Sequence, residues 1–152
     1  MAEGASPGAR MVDVGGKEDV PRMATARGEI ILSRKTVEAI REGRIEKGDV
    51  AVTAQVAGVM ALKRTSELIP LCHPIPITSA RVEVEVLDDR VAALCNVSAS
   101  YKTGVEMEAL VGVSAALLTV WDMVKYLEKD ETGNYPSTRI AEIRVLEKRK
   151  EG

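Results

Sequence analysis

The chain has 152 residues, 45% of them hydrophobic and 29% charged, and 21 Lys and Arg against 23 Asp and Glu give a formal net charge of −2. This length suits one domain with its own core, and the hydrophobic fraction is too high for a disordered chain. Near-neutral charge disfavours a dedicated nucleic-acid-binding protein. One His and two Cys, with no CxxC or HxxxH spacing, disfavour a structural zinc site.

The location and domain organisation follow from the apolar stretches. No uncharged stretch is longer than residues 109–121, which are too short to span a bilayer, and no basic-then-apolar leader opens the chain. We therefore expect a cytoplasmic protein that does not bind membranes. Residues 1–10, rich in Gly, Ala, Ser and Pro, predict a disordered tail, and residues 11–152 a single domain.

Three elements are predicted in the first part of the chain. Residues 22–32 end in apolar β-branched side chains, which indicates a strand. Ser33 can cap a helix over residues 34–43, and Asp49 a second helix that ends near Thr65. A stripe of small residues on this second helix would permit close helix approach: Ala54, Ala57, Gly58 and Ala61.

The middle of the chain predicts a stiff loop followed by a hairpin. Three prolines in residues 70–76 exclude a helix there. Residues 81–86 alternate strictly between polar and apolar side chains, the period of a half-buried strand, and residues 91–100 return as its hairpin partner.

A long helix and a closing strand complete the prediction. Thr103 to Glu106 reads as a capping box that opens a helix to near Lys129, and residues 138–148 alternate again as a strand. No face of the helix is charged over residues 109–120, so it must be covered all round. A sheet covers only one side, and we therefore predict a homo-oligomer.

The predicted order β-α-α-β-β-α-β indicates an α+β fold. With the two early helices counted as one crossover, it corresponds to a ferredoxin-like split β-α-β with an antiparallel sheet and an extra helix.

Three segments could carry chemistry. Prolines hold His73 in the loop Leu71-Cys72-His73-Pro74, which suits substrate recognition or proton transfer, although the ring could equally satisfy a buried carbonyl. Glu106 and Glu108 open the long helix, where the helix dipole alone explains one of them.

The third segment is Asp122 and Lys125, which are three apart and can meet on one helix face. They form either an ordinary surface ion pair or an acid–base pair whose pKa values burial shifts. Glu108 and Asp122 lie about 21 Å apart along one helix, and Lys47 lies at most about 24 Å from Lys63-Arg64. A site that uses all of them is long or shared between subunits.

These segments together resemble the cyclic pyranopterin monophosphate synthase family of molybdenum cofactor biosynthesis. The resemblance runs from Met11 to Lys148 in the order and spacing of the family. It rests on MVDVGGK (11–17), Arg-x-Ala-x-Ala-x-Gly (22–28), KGDV (47–50), KRTSELIPLCHPIPIT (63–78), KTGVEMEAL (102–110) and WDMVKYLEKD (121–130).

The resemblance implies a lyase that converts 3′,8-cyclo-7,8-dihydroguanosine 5′-triphosphate to cyclic pyranopterin monophosphate and releases diphosphate. It implies no redox cofactor and no protein metal site, while Mg²⁺ could accompany the triphosphate. It also implies hexamers built from dimers, with active sites at subunit interfaces.

The resemblance also implies a role for individual residues. Asp122, Lys125, Lys47 and His73 match the catalytic set, in which the lysines move protons and stabilise charge. The matched substrate-binding residues are Leu71, Cys72, His73, Glu106, Met107, Glu108 and Lys148, and we assign Lys63 and Arg64 to the triphosphate.

Two other functions are compatible with the predicted topology. A non-catalytic ferredoxin-like ligand-binding or regulatory module would leave the Lys, Asp and His set unexplained. An RNA-binding domain of related topology stacks bases on strand aromatics, and the hairpin has only Tyr101 at its end. We therefore expect no nucleic-acid partner.

Overall fold

The computed structural model describes residues 8–151, which form an α+β fold with four helices and one four-stranded antiparallel sheet. The strand order is β2-β3-β1-β4. The elements are β1 (Val20–Ile31), α1 (Arg34–Arg41), α2 (Val50–Leu62), α3 (Thr65–Leu68), β2 (Ile77–Val86), β3 (Arg90–Tyr101), α4 (Glu106–Glu128) and β4 (Arg139–Lys150). Residues 1–7 of the predicted tail lie outside the described part.

The predicted elements are all present, and two predicted caps are confirmed. The Thr36 amide donates to Ser33 Oγ at 3.2 Å, and the Val52 amide donates to Asp49 Oδ1 at 3.0 Å. The second helix ends earlier than predicted, at Leu62, because the chain turns there into the short unpredicted helix α3. The proline-rich segment 70–76 is a loop, as expected.

The predicted capping box at the start of α4 is wrong. The residue before the helix is Val105, and no side chain caps the first turn. The Glu106 carboxylate lies over Gly104 and accepts from Lys148 Nζ at 3.3 Å, so it is drawn towards β4. Glu106 therefore faces a pocket at this end of the helix.

The Arg-x-Ala-x-Ala-x-Gly pattern of β1 is explained by close packing of α4 on the sheet. Ala24 and Ala26 are fully buried beneath the helix, and a Cβ on Gly28 would lie within 2.9 Å of Leu117 and Val113. Small side chains let α4 approach the central strand. The buried Arg22 guanidinium donates to the carbonyls of Tyr101 and Lys102, at 3.3 and 3.1 Å.

Helices α2 and α4 cross closely on the same face of the sheet. A Cβ on Gly58 would lie 2.9 Å from the carbonyl oxygen of Gly112 and 3.0 Å from the Val82 side chain. Ala54 and Gly58 are buried, so half of the predicted small-residue stripe faces the helix crossing. Ala57 and Ala61 are partly exposed and border a shallow surface depression.

The sheet and α2 cover most of the apolar helix α4. By length and composition α4 could cross a membrane, but it is the core helix of this fold. The packing by α2 provides cover that the sequence prediction had assigned to other subunits. Leu118 still remains 59% exposed, and a row of apolar side chains on the outer face of α2 is about half exposed: Val52, Val56 and Met60.

The carboxylate of Glu128 ties the last turn of α4 to two other elements. It accepts from the Ser33 amide and hydroxyl, from Thr36 Oγ1, and from Thr138 Oγ1 at 2.7 Å. Burial alone would raise the pKa of Glu128, but these hydrogen bonds outweigh burial and hold the pKa below its usual range. The C-terminal half of α4 is thereby fixed in position.

Candidate active site

The predicted catalytic residues Lys47, Asp122 and Lys125 meet at the C-terminal half of α4. Lys47 Nζ lies 2.7 Å from Asp122 Oδ2, although the two residues are 75 positions apart in sequence. Lys125 Nζ lies 3.0 Å from Asp122 Oδ1, one helical turn away. We call these three residues the lysine–aspartate cluster.

The charge state of the lysine–aspartate cluster follows from its pairing. Hydrogen bonds from Lys47 and Lys125 hold the pKa of Asp122 below its usual range, and the hydrogen bond to Asp122 raises the pKa of Lys125. At neutral pH Asp122 is therefore a carboxylate and Lys125 an ammonium group, and Lys47 donates to the same carboxylate. All three side chains are 44–52% exposed.

Of the two alternatives for the Asp122–Lys125 pair, this arrangement favours the surface ion pair over an acid–base pair whose pKa values burial shifts. Burial would raise the pKa of Asp122 and lower that of Lys125, whereas both move the other way. The reason is that the pair lies on the surface of the single chain, where pairing outweighs desolvation.

Tyr126, which sequence reasoning missed, positions the loop that carries Lys47. Its hydroxyl accepts from the Glu46 amide at 3.0 Å and donates to the Arg44 carbonyl at 3.4 Å. Tyr126 and Asp122 lie four apart, on the same face of α4. The only sequence signal for this role is that spacing.

A pocket of about 370 Å³ lies at the opposite end of α4, and we call it the α4 pocket. Its walls come from the proline-rich loop, the first turn of α4 and residues near the N-terminus. It brings together the predicted residues Leu71, Cys72, His73, Glu106, Met107 and Glu108.

Two carboxylates form the floor of the α4 pocket. Glu108 is only 3% exposed, and burial, together with the neighbouring Glu106, raises its pKa above the usual range. Glu108 Oε1 and Glu106 Oε2 are buried without a hydrogen-bond partner among residues 8–151. Unpaired buried acceptors are costly, so this floor suits a ligand that donates hydrogen bonds.

The remaining pocket residues include a thiol and the only histidine of the chain. Burial, followed by the charges of Glu108 and Glu106, raises the pKa of the Cys72 thiol. His73 is half-buried and lines the α4 pocket, and no hydrogen bond from residues 8–151 reaches its ring. The alternative in which His73 satisfies a buried carbonyl is therefore not observed within that part of the chain.

The other predicted binding residues divide between the α4 pocket and a separate surface. Lys148 reaches the α4 pocket through its hydrogen bond to Glu106. Lys63 and Arg64 are exposed at the end of α2, and Arg64 borders the depression next to Ala57 and Met60. In the single chain they contact neither the α4 pocket nor the lysine–aspartate cluster.

Residues before β1 also line the α4 pocket, and sequence reasoning did not place them there. They are Arg10, Val12, Val14 and Lys17, of which Arg10 is the last residue of the predicted tail. Most of them lie in the MVDVGGK motif that carried the family resemblance, and this was the available signal. Residues 8–151 contain no cluster of three or more His, Cys, Asp or Glu side chains suited to a metal ion.

Comparisons with known proteins agree over nearly the whole chain. Proteins named probable cyclic pyranopterin monophosphate synthase include one from Methanosarcina acetivorans, 62% identical over 142 residues, which cover 93% of this chain and 90% of that protein. Another, from Pyrococcus abyssi, is 58% identical over 141 residues, with coverage of 93% and 89%. A Methanothermobacter thermautotrophicus protein named probable cyclic pyranopterin monophosphate synthase accessory protein is 57% identical over 143 residues, with coverage of 94% and 90%. The MoaC family model matches residues 11–151, and the chain belongs to the MoaC family.

Proposed function

We propose that the chain is a lyase of molybdenum cofactor biosynthesis that converts 3′,8-cyclo-7,8-dihydroguanosine 5′-triphosphate to cyclic pyranopterin monophosphate and diphosphate. The convergence of Lys47 on Asp122 and Lys125 carries this proposal, because it brings Lys47 from a distant part of the sequence into contact with the Asp122–Lys125 pair. The family match and the names of the relatives support the same reaction.

The chemistry divides between the two groups of residues. Rearrangement of the purine ribosyl system moves protons several times, which the ammonium groups of Lys47 and Lys125, the Asp122 carboxylate and His73 can carry. The cyclic phosphate forms when a substrate hydroxyl attacks the α-phosphorus. The bond from that phosphorus to the bridging oxygen breaks, and diphosphate leaves while cations stabilise its charge.

The separation of the two groups supports a site shared between subunits. Glu108 and Asp122 lie 14 residues apart on one helix, which corresponds to about 21 Å along its axis. A hexamer built from dimers would place the lysine–aspartate cluster of one chain against the α4 pocket of another. The exposed Leu118, on the same helix face as Asp122, favours burial of that surface.

The remaining parts of the proposal concern the fold, cofactors and surroundings. We assign the sheet order β2-β3-β1-β4 to a ferredoxin-like split β-α-β, in which α1 and α2 share one crossover. The reaction uses no redox cofactor, and Mg²⁺ could accompany the triphosphate. We place the enzyme in the cytoplasm, without nucleic-acid or membrane partners.

The decisive experiment is turnover of the cyclised GTP intermediate by the purified protein, with the product oxidised to a fluorescent pterin. We expect Lys47→Ala and Asp122→Asn to retain the fold, checked by circular dichroism, and to lose turnover. Lys129→Ala is the matched control, because this exposed lysine follows α4 and its side chain makes no hydrogen bond or ion pair with either group among residues 8–151. Full turnover in both Lys47→Ala and Asp122→Asn would refute the catalytic assignment, and none in the wild type would favour the non-catalytic alternative.

A second experiment tests whether the site is shared. Leu71 to His73 and Asp122 would belong to different chains in each site, so His73→Ala and Asp122→Asn subunits should complement each other when mixed. A mixture of Lys47→Ala subunits with Asp122→Asn subunits serves as the comparison for this first mixture, because Lys47 and Asp122 already meet within one chain. Absence of recovery in the first mixture, despite subunit exchange proven by mass spectrometry, would contradict a shared site.

A further inference from the structure

The segment before β1 runs along the α4 pocket as a strap, which we define as residues 10–19. Arg10, Val12, Val14 and Lys17 of this N-terminal strap line the pocket together with Glu106 and Glu108. The strap has no regular secondary structure apart from a turn, in which the Lys17 amide donates to the Val14 carbonyl at 3.0 Å.

The N-terminal strap is anchored to the end of β3. Lys102 Nζ donates to the Lys17 carbonyl at 3.1 Å and lies 3.3 Å from Asp19 Oδ1. The Gly15 amide donates to Asp13 Oδ1 at 2.8 Å and closes a local turn. These contacts hold the backbone on both sides of Lys17, so its side chain is presented to the pocket from a fixed point.

Within the described residues, the charged side chains of the strap that line the α4 pocket have no ion-pair partner. Among residues 8–151, neither Arg10 nor Lys17 has a carboxylate within ion-pair distance, whereas Lys102 pairs with Asp19 and Lys148 with Glu106. In the same pocket, Glu108 is 3% exposed and leaves one buried oxygen unpartnered. The pocket thus has an acceptor floor and a cationic wall.

This polarity fits one class of ligand. The floor takes a ring that donates hydrogen bonds, and the wall takes a group with several negative oxygens, for which guanidinium and ammonium groups are the usual protein partners. A guanine-derived nucleotide carries both at opposite ends. We propose that Arg10 and Lys17 bind the polyphosphate chain of the substrate and the diphosphate that leaves it.

This assignment rests on the proposed function and changes its detail. Lys63 and Arg64, which the sequence analysis assigned to the triphosphate, lie outside the α4 pocket of their own chain. The strap supplies two cations to the pocket that holds Glu108, without a contribution from a second chain. The strap cations therefore set the position of the phosphates relative to the ring.

The test compares three probes by isothermal titration calorimetry with the full chain. Inorganic diphosphate reports on the cationic wall, guanosine on the acceptor floor, and GTP on both. We expect Arg10→Ala and Lys17→Ala each to weaken diphosphate and GTP binding about tenfold, or about 1.4 kcal/mol, and to leave guanosine binding unchanged. Lys35→Ala, an exposed lysine of α1 away from the pocket, is the matched control for loss of one charge.

Each outcome decides the assignment. Wild-type protein that does not bind diphosphate, unchanged affinity in both strap variants, or an equal loss in Lys35→Ala would overturn it. If the wild type turns over the cyclised substrate and the Arg10→Ala/Lys17→Ala double variant keeps the same KM, the strap assignment fails while the proposed function stands. If the strap variants lose diphosphate binding and the wild type has no turnover, the proposed function fails while the phosphate site stands.

Discussion

Tyr126→Phe removes one oxygen atom and should weaken catalysis by displacing Lys47. The phenol hydroxyl is the link between α4 and the backbone of residues 44–46, and Phe keeps the ring while it loses both hydrogen bonds. A neutral hydrogen bond of this kind contributes roughly 0.5–1.5 kcal/mol. If that energy holds Lys47 at Asp122, its loss lowers kcat by about two- to tenfold.

The pH profile of turnover separates this role from a merely structural one. Lys47 is the largest cause of the lowered pKa of Asp122, so a looser contact lets that pKa rise. Because activity requires the carboxylate, the acid limb of kcat should move to higher pH in Tyr126→Phe. Thr119→Val is the matched control, since it removes a hydroxyl that bonds only to the Ala115 carbonyl of the same helix.

The measurement is the pH dependence of kcat, together with the NMR titration of the Asp122 side-chain carboxyl in ¹³C-labelled protein. We expect both midpoints to shift upward in Tyr126→Phe and to stay in place in Thr119→Val. An unchanged kcat and an unchanged Asp122 midpoint in a folded Tyr126→Phe variant would refute the positioning role of Tyr126.

Three further predictions concern stability and reactivity. Glu128→Gln should lower the free energy of unfolding by about 1.5–3 kcal/mol at pH 7, since charged hydrogen bonds are lost. The folded-state pKa of Glu128 lies below the ordinary 4.5, so the contribution of this carboxylate to stability is complete above that value and disappears as the pH falls through the folded-state pKa. Urea unfolding should therefore show a smaller difference between variant and wild type at pH 3 than at pH 7. Gly58→Ala should lower it by about 1–2 kcal/mol, as overpacking against a backbone oxygen exceeds the gain in helix propensity, whereas Gly16→Ala, which meets no atom, should have no comparable effect in the same urea experiment. Burial raises the pKa of Cys95 to about 12, so iodoacetamide at pH 7.5 should modify Cys72 well before Cys95 in the folded protein, and equal rates by mass spectrometry would contradict the burial of Cys95.

The elements of the fold were predictable where local chemistry determines them. The Ser33 and Asp49 side chains each accept a hydrogen bond from the backbone amide three residues later. Because this contact is local, sequence alone identifies both helix caps. The capping box at Thr103 failed because Glu106 has a distant partner, Lys148, that no local pattern reveals. When a residue distant in sequence offers a side chain a hydrogen bond, the side chain need not form the bond that its local motif predicts.

The candidate site was predictable as a set of residues and unpredictable as an arrangement. Motif resemblance identified Lys47, Asp122 and Lys125, and helix spacing identified their separation from Glu108. The contact between Lys47 and Asp122 depends on how the α1–α2 loop meets α4, which is set by Tyr126 and the packing of the sheet. The position of the strap along the α4 pocket depends likewise on a distant contact, because Lys102, which donates to the Lys17 carbonyl, is 85 residues from Lys17.

The electrostatics of the lysine–aspartate cluster give the predicted oligomer a chemical role. In the single chain Lys125 is an ammonium group whose pKa is raised, which makes it a poor proton acceptor at neutral pH. Leu118 lies four residues before Asp122 and is 59% exposed, so a second chain that covers this apolar side chain also removes water from the cluster. Desolvation lowers the pKa of a lysine and brings it towards the range in which it can both give and take protons. Assembly would then bury apolar surface and convert a stable surface ion pair into an acid–base group, which is why we expect isolated subunits to be inactive.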